Sequence, residues 1–498
     1  MAGFGANLAL VDGDRTCTHA QLEDRSTRLT AALLESGMSP GERLAVMLPN
    51  SIELFEANRA AAHGKFPLVP VNWHLMPDEI AWILADSEAK VLIADRELAA
   101  QVEPAAARVP GCTVLWTGPD YERRLGGTSP LGAVPAPTVV PTLMLYTSGT
   151  TGRPKGVVHE HLRARSGASE NVAAYGLVPD DVHLLAAPAY HGAPWSLASA
   201  HLVAGASVVI MRRWDTLGWL RLVREHGVTT TFAVPLHFVR LLDVPESQRP
   251  ASDLSTLRLI THGGAPCPVP VKQAMLDWLP ETEITEFYGF TEGGRVARIN
   301  SADWRTHPGS AGRPVDGVAI RILGPEDEPL GAGAVGRIAV RPPGGSRFHY
   351  HSDAAKTSAA WIDGYCTVDD IGYLSDDGFL YVTDRSQDLI LRGGVNIYPR
   401  EIEDALFLHP AVVDCAVFGV PHDREGERVH ALVETHGDVG ADELVAHLRE
   451  RIAGYKVPSV IELTDELPRD AAGKIRKHLL RDRAAAPPDP TAGGPTGI

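Results

Sequence analysis

The sequence predicts an α/β protein with a large amino-terminal domain, built of two layered α/β subdomains and a small β-barrel-like subdomain, followed by a smaller α+β domain. Three observations lead there. The chain has 498 residues, too many for one typical domain, so it should divide into several packed units. Its first half alternates short apolar runs with amphipathic stretches, the rhythm of parallel strands covered by helices. Further on the rhythm changes twice, first to short alternating strands and then to a compact helix and strand pattern.

The first α/β layer is read from Leu44 to Leu48, Ile52 to Ala62, Leu68 to Val71, Glu79 to Leu84 and Val91 to Ala94. A second follows in Val182 to Ala186, Ser207 to Met211, Thr229 to Val234 and Leu257 to Thr261, separated by helix-compatible segments such as Trp219 to His226. From about Gly309 to Asp384 the segments Val318 to Leu323, Gly336 to Val340 and Phe379 to Val382 alternate between glycine-rich turns, which suggests a small barrel or antiparallel sheet. Beyond a short polar stretch come a helix from Pro399 to Leu408, strands at Ala416 to Val420 and Val429 to Glu434, a helix at Ala441 to Ile452 and a strand at Val460 to Leu463. The expected division is 1–384, a junction at 385–387, a smaller domain at 388–483 and a disordered tail at 484–498. The tail has four prolines, three glycines and almost no bulky apolar side chains.

Lys and Arg total 46 against 62 Asp and Glu, a balance of -16 that argues against non-specific binding to nucleic acid or anionic membranes. Local cations must therefore meet any polyanionic ligand. Cys17, Cys112, Cys267, Cys366 and Cys415 are scattered and form no C-x-x-C pair, so neither a disulfide framework nor a zinc knuckle is expected. No apolar run approaches the ~18 residues of a membrane span, and no signal-peptide pattern opens the chain. A reducing cytoplasm is the expected setting.

The segment Tyr146 to Val157 holds three glycines, four Thr or Ser hydroxyls and the cations Arg153 and Lys155. Glycines permit close backbone approach, while amides, hydroxyls and charge suit phosphate. It is not a Walker A loop, because Pro154 precedes Lys155 and Gly156 follows it. By composition alone it also fits a surface turn. A second cluster, Phe287-Tyr288-Gly289-Phe290-Thr291-Glu292-Gly293-Gly294, closes the strand-like Ile284 to Phe287. It offers an aromatic face for a purine and a carboxylate for magnesium, or a buried aromatic strand end with a solvated Glu292. A third contains Thr367-Val368-Asp369-Asp370, Asp384-Arg385-Ser386-Gln387-Asp388 and Arg392-Gly393-Gly394-Val395-Asn396. A carboxylate such as Asp370 can accept both vicinal hydroxyls of a ribose. Leu467-Pro468-Arg469-Asp470-Ala471-Ala472-Gly473-Lys474 places a lysine on a glycine turn.

In this order and spacing the clusters resemble the adenylate-forming superfamily of acyl-CoA synthetases, luciferases and peptide-synthetase adenylation domains. The resemblance covers about residues 8 to 482. Phrases such as His307-Pro308-Gly309-Ser310 and Val395-Asn396-Ile397-Tyr398-Pro399 bring it nearest to fatty-acid ligase-type acyl-CoA synthetases. It implies that Thr147, Ser148, Gly149, Thr150, Thr151, Gly152 and Lys155 hold ATP phosphates, and that Gly264, Ala265 and Pro266 lie between adenine and acyl group. It further implies that Tyr288 and Gly289 meet adenine, Thr291 contacts phosphate, Glu292 binds magnesium, and Asp370 and Arg385 hold the ribose. Lys474 is then the catalytic lysine and His191 lies between the acid pocket and a thiol tunnel. Gln387 becomes the pivot of a mobile carboxy-terminal lid, and Arg392, Gly393 and Gly394 border the coenzyme A tunnel. Tyr190, Trp195, His237, Gly264 and Phe290 line the acid pocket, where the bulk of Phe290 favours a short or flat acid.

The implied reaction attacks the α-phosphorus of ATP with a carboxylate, releases pyrophosphate with magnesium, and passes the acyl group to the thiol of coenzyme A. Three departures from the family pattern stand out. Asp369 replaces a glycine, Gln387 is neutral where aspartate or lysine is usual, and Ala471 and Ala472 lack hydroxyls. They leave open an amine, a carrier-protein thiol or another nucleophile as acceptor, an inorganic acid such as nitrite as substrate, or a single half-reaction. A regulatory nucleotide-binding protein without turnover is the reading from another class, and the joint presence of Lys155, Glu292, Asp370 and Lys474 argues against it. The acid and the oligomeric state are not legible.

Overall fold

The computed structural model describes residues 5–132, 142–147, 154–159, 166–385, 388–392, 395–422, 424–469 and 474–485. The chain divides into two compact units. One comprises Met1–Gly264, Leu276–Arg321 and Ala339–Val368, and the other Ala265–Met275, Ile322–Ile338 and Asp369–Ile498.

The first unit contains two sheets of the predicted kind. The four strands Leu68–Pro70, Arg43–Met47, Ala89–Ala94 and Thr113–Trp116, in that spatial order, are all parallel. The second sheet has nine strands, and its centre is the parallel set Glu283–Phe290, Leu259–His262, Thr230–Ala233, Val182–Leu185 and Ser207–Ile210. The strands of the first sheet read as near-continuous apolar runs, as a parallel sheet covered on both faces requires, whereas those of the second admit buried polar residues such as His183, Thr230, Thr231, Thr261 and His262. Leu10, Leu44, Phe55, Leu68, Trp195 and Val208 belong to one buried cluster that joins the two sheets.

The helix Ile52–Gly64 is buried along nearly its whole circumference, so its polar side chains need internal partners. Glu53 accepts from Arg15 at 2.6 Å, Glu56 accepts from the Tyr121 hydroxyl at 2.7 Å and pairs with Arg25, and Asn58 donates to Ser199 at 3.1 Å. Beside it lies the helix His19–Glu35, which the apolar pattern had not marked. Its buried face includes Ser26 and Thr30, whose hydroxyls return to the carbonyls of Leu22 and Ser26. A hydrophobicity pattern does not count such positions as core.

In the second unit, Asp370–Leu374 pairs antiparallel with Leu380–Arg385 and with Gly336 and Arg337. The carboxy-terminal part is a five-stranded sheet built on the long antiparallel pair Val412–His422 and Gly426–Thr435, with Val460–Thr464 added in parallel. Helices Pro399–Leu406 and Ala441–Arg449 contribute Ile402, Leu406, Leu444 and Leu448 to the core of that sheet. A last helix, Lys477–Ala485, runs two residues into the stretch expected to be disordered, ending just before the prolines begin at Pro487. The remainder of that tail, 486–498, lies outside the described residues.

All five cysteines are buried and free, and burial raises the Cys17 thiol to about 11 and that of Cys366 to about 12. Among the described residues no helix is long and apolar enough to cross a membrane.

Candidate active site

The phosphate-loop segment enters and leaves through an antiparallel pair. Strand Leu145–Thr147 pairs with Lys155–His159, with Thr147 opposite Lys155, so the two ends of the loop are held together. Ser148, Gly149, Thr150, Thr151, Gly152 and Arg153, between them, lie outside the described residues. The Trp82 indole donates to the Pro154 carbonyl at 3.1 Å, and the Tyr146 hydroxyl donates to Asp86 at 2.6 Å. At Gly156 an added Cβ would meet the flexible end of Met144 at 2.4 Å and the Tyr146 ring at 3.1 Å.

The exit strand is then joined to the Tyr288-to-Glu292 element. The His159 ring nitrogen bonds the carbonyl of Thr291 at 2.9 Å, and burial lowers the pKa of that ring. Strand Phe348–Tyr350 pairs with the exit strand, with Tyr350 opposite Val157, and the Tyr350 hydroxyl donates to Glu292 Oε1 at 2.8 Å. Lys155, Thr291 and Glu292 are thereby drawn to one corner of the first unit. Lys155 also approaches Asp353 at 3.8 Å. Glu292 is buried, and Thr291 and Tyr288 are half-buried. Gly289 sits where the strand irregularly meets Gly294 and Arg295, and an added Cβ would fall 2.3 Å from the Gly294 carbonyl oxygen.

His191 precedes the helix Gly192–Ala204, with its ring 4.4 Å from that of Tyr190. Tyr190 and Trp195 are buried. His237 is also buried and stacks on Trp214 at 3.7 Å with nearly parallel rings; burial pushes its pKa down to about 3, so it stays neutral. Phe290 is half-buried, 6.1 Å from Tyr288, and its ring fills the space a side chain at Gly293 would need. Gly264 adopts φ +83°, a conformation that favours glycine.

The second unit holds the remaining residues. Asp370 is buried and stands in register opposite Arg385. Its neighbour Asp369, the departure from the family glycine, has φ +63°, a side chain 69% exposed, and an approach to Arg337 of 4.0 Å. The two carboxylates therefore differ sharply in exposure. Ala265 and Pro266 belong to this unit, where the Arg400 guanidinium donates to the carbonyls of Val382 at 2.8 Å and Cys267 at 3.2 Å. Arg392 donates to Glu425 at 2.7 Å and to the Tyr455 carbonyl at 2.8 Å. Lys474 is exposed and adjoins Ile475, which bridges Arg469, and Arg469 is ion-paired to Asp414. Gln387, Gly393, Gly394, Ala471 and Ala472 lie outside the described residues, and of Arg385 only the backbone is described.

Sequence reasoning did not single out His159, Tyr350, Asp353, Lys356 or Trp214. Tyr350 is 58 positions from the carboxylate it touches, and no local pattern marks such a pair.

Residues 1–349 match the family model described as AMP-binding enzyme, and 401–474 match the AMP-binding enzyme C-terminal domain. The chain belongs to the AMP-binding enzyme family. It is 35% identical to a feruloyl-CoA synthase of an Amycolatopsis species over 95% of each chain. It is 34% identical to a fatty acid–acyl-carrier-protein ligase of Streptomyces coeruleorubidus, over 94% of this chain and 92% of that one. Among solved structures it resembles ATP-bound MatB from Rhodopseudomonas palustris, with a TM-score of 0.87, 28% identity and 96% of each chain covered. It also resembles o-succinylbenzoate CoA synthetase from Bacillus subtilis in complex with its acyl-adenylate intermediate, with a TM-score of 0.81, 28% identity and 95% coverage of each chain. The protein is an adenylate-forming ligase of the acyl-CoA synthetase kind.

Proposed function

We propose that the protein activates a short or planar carboxylic acid as its adenylate and transfers the acyl group to the thiol of coenzyme A. The observation that carries this reading is the tie between phosphate-loop strand and Glu292 element, made by His159 to Thr291 and by Tyr350 to Glu292. It assembles a cation and a carboxylate at fixed separation, as in-line attack on ATP requires. Phe290, Tyr190 and Trp195 support a compact acid site, because the side chains assigned to its walls are large rings.

Two anions meet in the first step, so a mobile cation must offset their repulsion, and we assign that task to Lys474. Its exposure next to the bridged Ile475 suits a group that approaches substrate only when the carboxy-terminal domain swings about Gln387. Asp370 and Arg385, paired in register, are assigned to the ribose hydroxyls. Glu292 suits magnesium, because its carboxylate is a hard oxygen donor. Magnesium bound by few protein ligands keeps waters and substrate phosphates in its shell. When bound, it would offset the charge of the departing pyrophosphate.

Pyrophosphate release across a panel of acids, with and without coenzyme A, tests the reading. Acid-dependent release together with thioester formation is expected. Release without thioester would overturn coenzyme A as acceptor. A carrier-protein thiol is the second reading, favoured by the similarity to an acyl-carrier-protein ligase, and phosphopantetheinylated carrier protein in the same assay decides between them.

A further inference from the structure

One cation beside the phosphate-loop strand is not used by the mechanism above. The helix Ala354–Ala359 follows strand Phe348–Tyr350 closely, and three hydrogen bonds fix it there. The Tyr350 amide donates to the Thr357 hydroxyl at 2.9 Å, that hydroxyl donates to the Asp353 carbonyl at 2.8 Å, and the Lys356 amide donates to the Asp353 carboxylate at 2.9 Å. The Lys356 ammonium consequently lies 5.1 Å over the ring of Tyr350, the tyrosine whose hydroxyl holds Glu292. It also lies close enough to interact with the Lys155 ammonium, which approaches Asp353 at 3.8 Å, the residue whose carboxylate accepts from the Lys356 amide.

From this geometry we propose that Lys356 and Lys155 together form a two-cation seat for the β- and γ-phosphates of ATP and for pyrophosphate before it leaves. The proposal rests on the adenylation reading and adds a binding residue to it. Two ammonium groups brought together in this way repel each other, and Asp353 beside Lys155 offsets that repulsion only in part. Burial and the neighbouring Lys155 lower the Lys356 pKa to about 8, with Asp353 and Glu292 opposing that shift only in part. A polyphosphate supplies further negative charge, and two cations can each meet a different phosphoryl group. The adenylate product has lost both of those groups, so the seat serves ATP and pyrophosphate and not AMP.

The test is calorimetric titration of the full chain with ATP, pyrophosphate and AMP, for the wild type, Lys356→Met and Lys356→Arg. Methionine keeps the aliphatic packing on Tyr350 and removes only the charge. Expected is a rise of about tenfold in the Kd of pyrophosphate and of ATP for Lys356→Met, no change for AMP, and recovery in Lys356→Arg. Thermal melts of the three proteins exclude a general loss of folding. Unchanged pyrophosphate and ATP affinities in Lys356→Met, or an equal loss for AMP, would overturn the seat while leaving adenylation intact. A wild type that binds no ATP would overturn both.

Discussion

Replacing Asp369 by glycine and, separately, by alanine isolates the backbone conformation beside Asp370. The residue has φ +63°, where an L side chain costs about 1–2 kcal/mol because Cβ crowds the following carbonyl. Its carboxylate is mostly solvated and reaches Arg337 only at 4.0 Å, an exposed pair contributing about 0–1 kcal/mol. Both substitutions lose that pair equally. Glycine relieves the strain but loses roughly 0.5–1 kcal/mol more backbone entropy on folding. Alanine keeps the strain and loses the local hydrogen bonding by which aspartate tolerates this region. The glycine variant should therefore be the more stable of the two by about 1 kcal/mol, an inversion of the order found in helices and strands. For a cooperative unit of 150–250 residues that corresponds to about 2–4 °C in Tm. Calorimetric melts of the two variants under one set of conditions measure it. Glycine also deletes a negative charge next to the assigned ribose site. Removing that charge lowers the repulsion met by an anionic nucleotide, so KM for ATP should fall. An alanine variant as stable as the glycine variant would refute the argument from backbone strain.

Lys474→Ala should lose adenylation by on the order of 10³-fold yet still convert supplied acyl-adenylate to thioester, and equal loss of both steps would remove the lysine from its assigned role. Tyr350→Phe removes one charge-assisted donor from the buried Glu292, which costs roughly 1.5–3 kcal/mol and should appear as a raised magnesium requirement in pyrophosphate release. His201 is buried, stacks on His183 at 4.2 Å, and has its pKa lowered by burial to about 4. The unfolded chain takes up protons below about 6.5 while the folded one does not, so this stability is complete above pH 6.5 and is lost as pH falls toward 4. About 1 kcal/mol should be gone by pH 5.5, and His201→Asn should flatten the fall in Tm between pH 7.5 and 5.5. Gly289→Ala should destabilise by about 1–3 kcal/mol through the Gly294 carbonyl, read as a lower midpoint in urea.

The parallel strands were legible because burial on both faces writes them as unbroken apolar runs, as in Leu44 to Leu48 and Val91 to Ala94. The helix His19–Glu35 was not, since Ser26 and Thr30 enter its core by bonding their own helix carbonyls. At the site, the glycine-rich segment and the Tyr288-to-Glu292 element announce themselves by local order. The residues that join them do not. Tyr350 lies on a strand of three residues, and Lys356 reaches Lys155 only because Thr357 and Asp353 fix the helix that carries it. Such contacts depend on pairing between Val157 and Tyr350, which no window of sequence contains. Asp369 was visible as a departure from pattern, but its left-handed backbone and its outward carboxylate were not.

The bridge from Arg469 to Ile475 has a consequence for how chemistry can be timed. Arg469 is anchored to Asp414 on the long strand of the five-stranded sheet, and Leu467 and Ile475 pack with Phe418 and Leu480 of the same unit. Lys474 is thus fastened to a plate and does not dangle from a string. On the role proposed for Lys474, its ammonium would move with that sheet, so viscosity and crowding that slow a domain-sized body should slow the charge-only step. Lengthening the turn would uncouple the two clocks.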